Sequence, residues 1–475
     1  MKSWSRYNTL FHSKNYGYFL YNAFSNILLE LDEPHFRLLE QLRENPQQLL
    51  SISDPDFILL LEEQFVFSDK QIEQKKILLN RYQRNAKCFN ATTLSLTICP
   101  TLACNFGCGY CFEHSQNSAT VMSPKTIDQL MTVIKRFKEI KKLSVTWYGG
   151  EPTLAFETIK TLTESFSKLD MLFSDAGMVT NGYLLDKEKI SQLNDLKIDS
   201  VQITLDGLEA THNKRRMLKN GGATFRTIID NVEALMNSSY KGKCNIRVNI
   251  DKTNQHEYHS LRTELLDRFK GKKLMVDPGH INTVQNHVDD YQCVLCNTEW
   301  ADFIIADYQN NGVMPRNGFF PEANPFNICM ANSYTGFVIG PEGELYKCWK
   351  DVGKKGMTIG NIHNEEPIDN PDLVALYSIG TDPFNDDTCL ECSMMPICSG
   401  GCVNTRLRVQ QFGEKDENFC SLYKERLVTY LEAYYDSYRT REILSLMGTS
   451  AKPLTSKGYR MVQPAKKETT PGIRK

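Results

Sequence analysis

The spacing of the cysteines constrains this chain more than any other feature. Three stand close together as Cys104-x3-Cys108-x2-Cys111, and seven more are spaced between Cys329 and Cys420. The chain has fifteen cysteines in all among 475 residues. Met1 to Asn15 lack the apolar stretch of a signal peptide, and no run of eighteen uncharged apolar residues suggests a membrane span. A cytoplasmic protein is therefore expected, one in which disulfides are not the use of its thiols. A formal net charge of -2 gives no electrostatic case for nucleic acid as a partner. Isolated thiols such as Cys88 and Cys244 read as small packed hydrophobes. The grouped ones read as metal ligands.

The chain divides into three regions and a tail. Residues 1–90 show two strands around Asn22-Ala23-Phe24 and three helix candidates, at Pro34 to Arg43, Asp54 to Glu63 and Gln71 to Tyr82. From about 91 to 319 strands and helices alternate, which implies a parallel α/β sheet, open or partly closed as a barrel. Functional groups are then expected at the carboxyl ends of the strands. Residues 320–447 concentrate cysteine, glycine and proline and would have a poor core without metal. Residues 448–475 carry seven Lys or Arg against one Glu and read as a flexible basic tail.

Three thiolates on one loop suit three irons of a cubane and leave the fourth iron for another ligand. Zinc would want a fourth protein ligand, for which His114 has suitable spacing. The run Cys104-Asn105-Phe106-Gly107-Cys108-Gly109-Tyr110-Cys111 resembles the signature of the radical S-adenosylmethionine (SAM) superfamily. That resemblance implies a partial (β/α)6-type barrel and a [4Fe-4S] cluster on Cys104, Cys108 and Cys111. It also implies S-adenosyl-L-methionine chelated to the free iron and cleaved to a 5′-deoxyadenosyl radical. Gly149-Gly150-Glu151-Pro152 follows a predicted strand and is similar to the family's cofactor-positioning motif; the glycines allow close backbone approach and Glu151 can accept from an ammonium. Tyr110, Asn181, Thr204, Asp206 and Arg216 are further candidates for the cofactor side. A salt bridge holding its loop is an equal reading for Arg216, and His212 reads as a structural hydrogen-bonder.

Cys329-x13-Gly343-x4-Cys348, then Cys389-x2-Cys392-x5-Cys398-x3-Cys402 and Cys420, resemble the SPASM domain, the auxiliary-cluster module of peptide and protein maturases. A zinc ribbon would use four of the seven. The resemblance implies that Cys329, Cys348 and Cys402 hold a first auxiliary cluster, and Cys389, Cys392, Cys398 and Cys420 a second, making three [4Fe-4S] clusters with the one above. The first lacks a fourth ligand: some relatives have a cysteine where Ala323 stands here, and Cys293 or Cys296 is the alternative source. The N-terminal region resembles the winged-helix-like element that binds precursor leader peptides in such maturases, with a structural cap as the other reading.

The resemblance thus implies a radical SAM oxidoreductase that takes a hydrogen from a ribosomally made precursor peptide and forms an intrapeptide thioether to a cysteine. An electron donor such as flavodoxin or ferredoxin is implied as a partner. Three alternatives remain: a carbon–carbon cross-linking maturase, a sulfatase-maturating formylglycine enzyme, and an iron–sulfur peptide-binding scaffold without chemistry. Sulfatase-maturating relatives place an aspartate directly after the cysteine matching Cys348; here that residue is Trp349, with Asp351 two positions later.

Overall fold

The computed structural model of the chain describes residues 2–111, 118–281, 293–322, 329–398, 400–414, 420–445 and 457–462. His114 and Ala323 lie outside the described residues.

The N-terminal module starts with β1 (Ser3–Trp4) and an antiparallel meander of β2 (Asn8–Ser13), β3 (Gly17–Asn22) and β4 (Ile27–Leu31). Helices α1 (Glu33–Glu44), α2 (Pro55–Glu63) and α3 (Lys70–Cys88) follow, with β5 (Phe67–Ser68) between the last two and paired to β1. Asp32, Asp54 and Asp69 accept hydrogen bonds from first-turn N–H groups and so start the three helices, the arrangement that satisfies otherwise orphaned donors. Leu20, Leu29 and Leu31 pack against Phe36, Leu39 and Leu42 of α1 and Phe57 and Leu61 of α2. The hairpin and the three helices expected from the sequence are all present.

Strands β6 (Thr93–Ile98), β7 (Lys142–Trp147), β8 (Leu172–Thr180), β9 (Ile198–Leu205), β10 (Lys243–Ile250) and β11 (Leu274–His280) are parallel and pair in chain order. Their connections carry α4 (Pro124–Ile134), α5 (Phe156–Phe166), α6 (Lys187–Gln192), α7 (Glu209–Arg215), α8 (Phe225–Met236) and α9 (Tyr258–Arg268), the crossovers that parallel pairing demands. Alternation along the strands buries Val145, Trp147, Ile246 and Val248 in one core with Ile127, Ile159, Phe166, Ile228 and Val232 of the helices. The intervening Ser144, Thr146, Arg247 and Asn249 are half-buried on the opposite, polar face.

The sheet does not end with these six strands. β12 (Gly336–Ile339) pairs in parallel with β6, and β13 (Glu344–Tyr346) and β14 (Gly360–Asn361) continue it antiparallel. The order is β11-β10-β9-β8-β7-β6-β12-β13-β14, and among the described residues no pairing joins β11 to β14. The sheet therefore runs across the 319/320 boundary, with Gly343 at φ 85 turning the hairpin back.

The remaining helices are α10 (Asn297–Asn311), α11 (Pro371–Ala375), α12 (Asp387–Leu390), α13 (Met395–Cys398), α14 (Val403–Phe412) and α15 (Tyr423–Ser445). Ala301 and Ile305 of α10 and Leu427, Tyr430, Tyr434 and Tyr435 of α15 pack on Phe19, Tyr21 and Leu28 of the N-terminal sheet. The expected flexible tail is corrected over part of its length: β15 (Tyr459–Val462) joins that sheet antiparallel to β4. Tyr459 and Val462 are buried and Arg460 pairs with Glu30, so this short run has the alternation of a strand within a basic segment.

Candidate active site

The Cys104–Cys111 loop leaves β6 at its carboxyl end and is stitched to the segment after α7. Gly107 N donates to Met217 O at 2.9 Å and Lys219 N to Asn105 O at 3.0 Å, and Phe106 forms an isolated bridge with Leu218. The two glycines after β7 press on the start of the same loop. A Cβ on Gly149, which has φ +111, would stand 2.3 Å from Thr101 O, and one on Gly150 2.4 Å from both Leu102 O and Ala103 O. No side chain fits at either place. Gly150→Ala is therefore expected to push the Ala103–Cys104 backbone out of position. Iron bound per chain should fall with the far-ultraviolet circular dichroism unchanged; full iron content in the variant would refute the role given to this approach.

Burial and Glu151 push the Cys104 thiol up to about 11, with Phe106 N–H opposing, and burial raises Cys108 against the nearby Arg216 cation. Thiols held up in this way ionise when a metal charge takes the proton's place. Among the described residues no three Cys, His, Asp or Glu side chains stand ready-made in coordination geometry. Cys104 and Cys108 nonetheless act on each other electrostatically, and Cys111 N donates to Cys108 O at 3.2 Å.

Glu151 stands in the loop that follows β7. It is fully buried, its Oε1 accepts from Thr153 N, Thr153 Oγ1 and Thr180 Oγ1, and its Oε2 accepts from Asn181 N at 2.7 Å. The carboxylate ties the loop after β7 to the end of β8. Pro152 opens the buried turn that follows. Asn181 Nδ2 reaches Asn105 Oδ1 at 2.8 Å and so braces the cysteine loop.

The structure brings Tyr110, Asp206 and Arg216 together. Asp206, fully buried two residues after Thr204 at the end of β9, accepts from Tyr110 OH at 2.8 Å and from Arg215 Nε at 2.9 Å. Arg216 Nη1 donates to Tyr110 OH at 2.8 Å, and Asn249 Nδ2 to the same oxygen at 3.1 Å. Arg215 also donates to Asp251 Oδ2 at 2.6 Å, and its guanidinium lies 5.3 Å from the centre of the Tyr110 ring. Arg215, Asp251 and Asn249 were not singled out by the sequence. Their only signal was the Arg215-Arg216 pair and the polar residues closing β10.

His212 is structural, as its sequence reading had it. Its Nδ1 accepts from Asp206 N at 3.3 Å, its Nε2 faces Thr224 Oγ1 at 3.1 Å, and Thr224 Oγ1 donates to Arg216 O at 2.7 Å. This chain requires the proton on Nε2. Burial, with Arg216 and Arg215 nearby, pushes its pKa down from 6.5 to about 2. The unfolded chain therefore binds the extra proton between these values, and stability present at neutral pH is lost as pH falls below 6.5. The expected slope is up to about 1.4 kcal/mol per pH unit. Thermal midpoints at pH 7 and pH 5 should diverge more in the native chain than in His212→Asn; equal slopes would disprove it.

The C-terminal thiols fall into two groups. Burial, Asp351, Cys402 and Cys329 all raise the pKa of Cys348, and Cys402 acts likewise on Cys329. Lys347, fully buried, donates to Ser333 O at 2.6 Å and Gly336 O at 2.7 Å, and burial pushes it down to about 8 against the thiols of Cys88 and Cys329. Cys389, Cys392, Cys398 and Cys420 line a single cavity of about 390 Å³. Arg406, 1% exposed, donates to Cys389 Sγ at 3.3 Å and holds Asp386. Four sulfur donors around one cavity suit an iron–sulfur cluster. Cys293 and Cys296 stand elsewhere, at the start of α10, where both act on Lys252 beside Glu299. Asn297 Nδ2 donates to Cys420 O at 2.9 Å, so that turn adjoins the second group of thiols.

The two halves of the site meet at an aromatic stack. Trp349, next to Cys348, lies parallel to Tyr148, next to Gly149, at 5.5 Å. Asp351 is fully buried and accepts from Tyr377 OH, from Asn404 Nδ2 at 2.9 Å and from Arg408 Nη2 at 3.3 Å.

Residues 98–264, about a third of the chain, match the Radical SAM superfamily model. Among curated proteins, the chain is similar to a cysteine-type anaerobic sulfatase-maturating enzyme of Clostridium novyi (strain NT), 24% identical over 364 residues, 70% of this chain and 94% of that protein. It is also similar to the radical SAM cyclopropyl synthase TigE of Paramaledivibacter caminithermalis, 23% identical over 363 residues, 71% of this chain and 73% of that one. Among solved structures, native anSMEcpe with bound AdoMet and Cp18Cys peptide matches with a TM-score of 0.55 at 22% identity, covering 74% of this chain and 98% of that one. At that identity the match speaks for the fold.

Proposed function

We propose that this chain, a radical S-adenosylmethionine enzyme, matures a ribosomally made peptide by joining a peptide carbon to a cysteine sulfur as an intrapeptide thioether. A radical SAM domain implies S-adenosylmethionine and an iron–sulfur cluster, and Cys104, Cys108 and Cys111 are the residues that would hold that cluster. The bound pair supplies a 5′-deoxyadenosyl radical able to take a hydrogen atom from a peptide C–H. Glu151 and Asn181 fix the loop beside those thiols, and the Tyr110–Asp206–Arg215–Arg216 group walls the carboxyl end of β9 with charge that is already paired. We assign two further clusters, one to Cys329, Cys348 and Cys402 and one to Cys389, Cys392, Cys398 and Cys420, as an exit for the electron that thioether formation must release.

The observation that carries this reading is the three-cysteine group next to the stack of Trp349 on Tyr148. Three protein thiols leave one position for a peptide thiolate, and the stack joins that group to the loop after β7. Sulfatase maturation, suggested by the name of one relative, is the second reading. It is weakened because Trp349 stands after Cys348 and because both Asp351 oxygens already accept from protein donors. The two readings differ in the product. Anaerobic reaction with a cysteine-containing precursor peptide, S-adenosylmethionine and reductant should give a peptide about two daltons lighter with one fewer alkylatable thiol, the change expected when C–H and S–H become C–S. An unchanged thiol count, or conversion of cysteine to an aldehyde, rules out the thioether. Absence of 5′-deoxyadenosine would favour a scaffold without chemistry.

A further inference from the structure

The N-terminal sheet has the order β15-β4-β3-β2, so one of its outer strands comes from the far end of the chain. A strand edge offers a row of unpaired main-chain groups, and proteins either cover it or use it to receive an extended peptide. Here Tyr459, Arg460, Met461 and Val462 lie opposite Leu31, Glu30, Leu29 and Leu28, and Asp32 N donates to Gly458 O at 2.8 Å. The Tyr459 ring sits 4.7 Å from Phe57 and 5.4 Å from His35, on the helix side of the sheet. On the other side Arg460 pairs with Glu30 at 2.5 Å and Glu442 at 3.4 Å, and Val462 is fully buried. Met461 is 41% exposed. The edge of β4 thus has an aromatic seat for position 459 on one side, and an acidic seat for 460 and an aliphatic seat for 462 on the other.

Resting on the peptide-maturation reading above, we propose that β15 is a displaceable stand-in for the substrate's leader. The edge of β4 is the leader-docking edge, and the leader carries an aromatic–basic–any–aliphatic run in extended form. The grip suits exchange. Ordering four residues costs about 1–2 kcal/mol each, against a few main-chain bonds, one ion-pair cluster and two buried side chains. Being part of the same chain, β15 competes at an effective concentration on the order of millimolar. A leader with better anchors or a longer strand wins that competition, whereas a random peptide does not.

The test uses the full chain and a fluorescent synthetic peptide with the sequence of Lys457 to Val462. Arg460→Glu places a carboxylate against Glu30 and Glu442 and should free β15. Gly458→Val is a second route, because Gly458 has φ +75 and an added Cβ would stand 2.1 Å from Asp32 Oδ2. Amide exchange at Ile27–Leu31 should rise in the freed variants. The probe should bind them about tenfold or more tightly than the native chain, since the tethered competitor is gone, and should restore protection to Ile27–Leu31. Met461→Ala should bind the probe as the native chain does. The proposal is overturned if neither variant raises exchange in β4, if the freed variants bind the probe no better, or if the probe protects Asn8–Ser13 instead. A native enzyme that modifies a precursor while its opened variants ignore the probe would sink this proposal alone. Failure to modify any peptide, with the probe still bound at β4, would sink peptide maturation and leave the docking edge standing.

Discussion

Cys108→Ala is expected to reduce 5′-deoxyadenosine formation to background and to remove about four irons per chain, one [4Fe-4S] equivalent. Cys108 is 7% exposed within the main core, so alanine removes the sulfur with little change of shape. The thiol is raised by burial and opposed by the Arg216 cation, an environment that favours a thiolate once a metal claims it. The seven C-terminal thiols are untouched, so iron should fall by one cluster rather than to zero. Cys244→Ala is the matching control. Cys244 is fully buried in the core contributed by β10, and burial raises it to about 12. Its loss should cost about 1 kcal/mol of stability and no iron. Equal losses of iron in the two variants would mean that Cys108 matters for packing alone.

Legibility in the sequence followed the source of each feature. Helix α8 is legible in the sequence, because Phe225, Ile228, Ile229, Val232, Leu235 and Met236 keep a 3.6-residue period of buried positions. The end of helix α4, at Ile134, is harder to read. Beyond Ile134 the chain closes tighter turns, with Arg136 N on Val133 O and Phe137 N on Ile134 O, and period alone does not register that change. The cysteine spacing singled out the C-terminal thiols as ligand candidates from the sequence alone. Strand β15 was hidden, since only its pairing with β4, over four hundred residues earlier, gives it a reason to be extended. Arg215 was hidden for a similar cause: its two carboxylate partners come from the ends of β9 and β10, which only the sheet order makes neighbours. The surroundings of Glu151 were not legible, because Thr180 and Asn181 reach it across the β7–β8 pairing.

Asp206→Ala should be the most destabilising single change at the carboxyl end of the sheet. The carboxylate is fully buried and holds Tyr110, Arg215 and Arg216 around it, the last at 3.9 Å. Taking out one member of a buried ionic group leaves its partners charged without full compensation, which typically costs about 3–5 kcal/mol. Arg215 would keep Asp251 at 2.6 Å, so the burden falls mainly on Arg216, which would keep the Tyr110 hydroxyl at 2.8 Å and the Phe106 ring at 5.6 Å but lose its carboxylate. Asp206→Asn keeps the shape but offers one acceptor oxygen, and its amide group would confront donors on the other side. It should recover only part of the loss. Asp230→Ala, on the exposed face of α8, should stay within about 0.5 kcal/mol of the native chain. Thermal midpoints of the three variants under anaerobic conditions would rank them. Equilibrium dialysis with S-adenosylmethionine would separate a binding role from a structural one: a variant that folds but no longer retains the ligand assigns the group to the cofactor. If Asp206→Ala melts with the native chain, the network is not what holds the ends of β9 and β10 together, and Arg216 must find its counter-charge elsewhere.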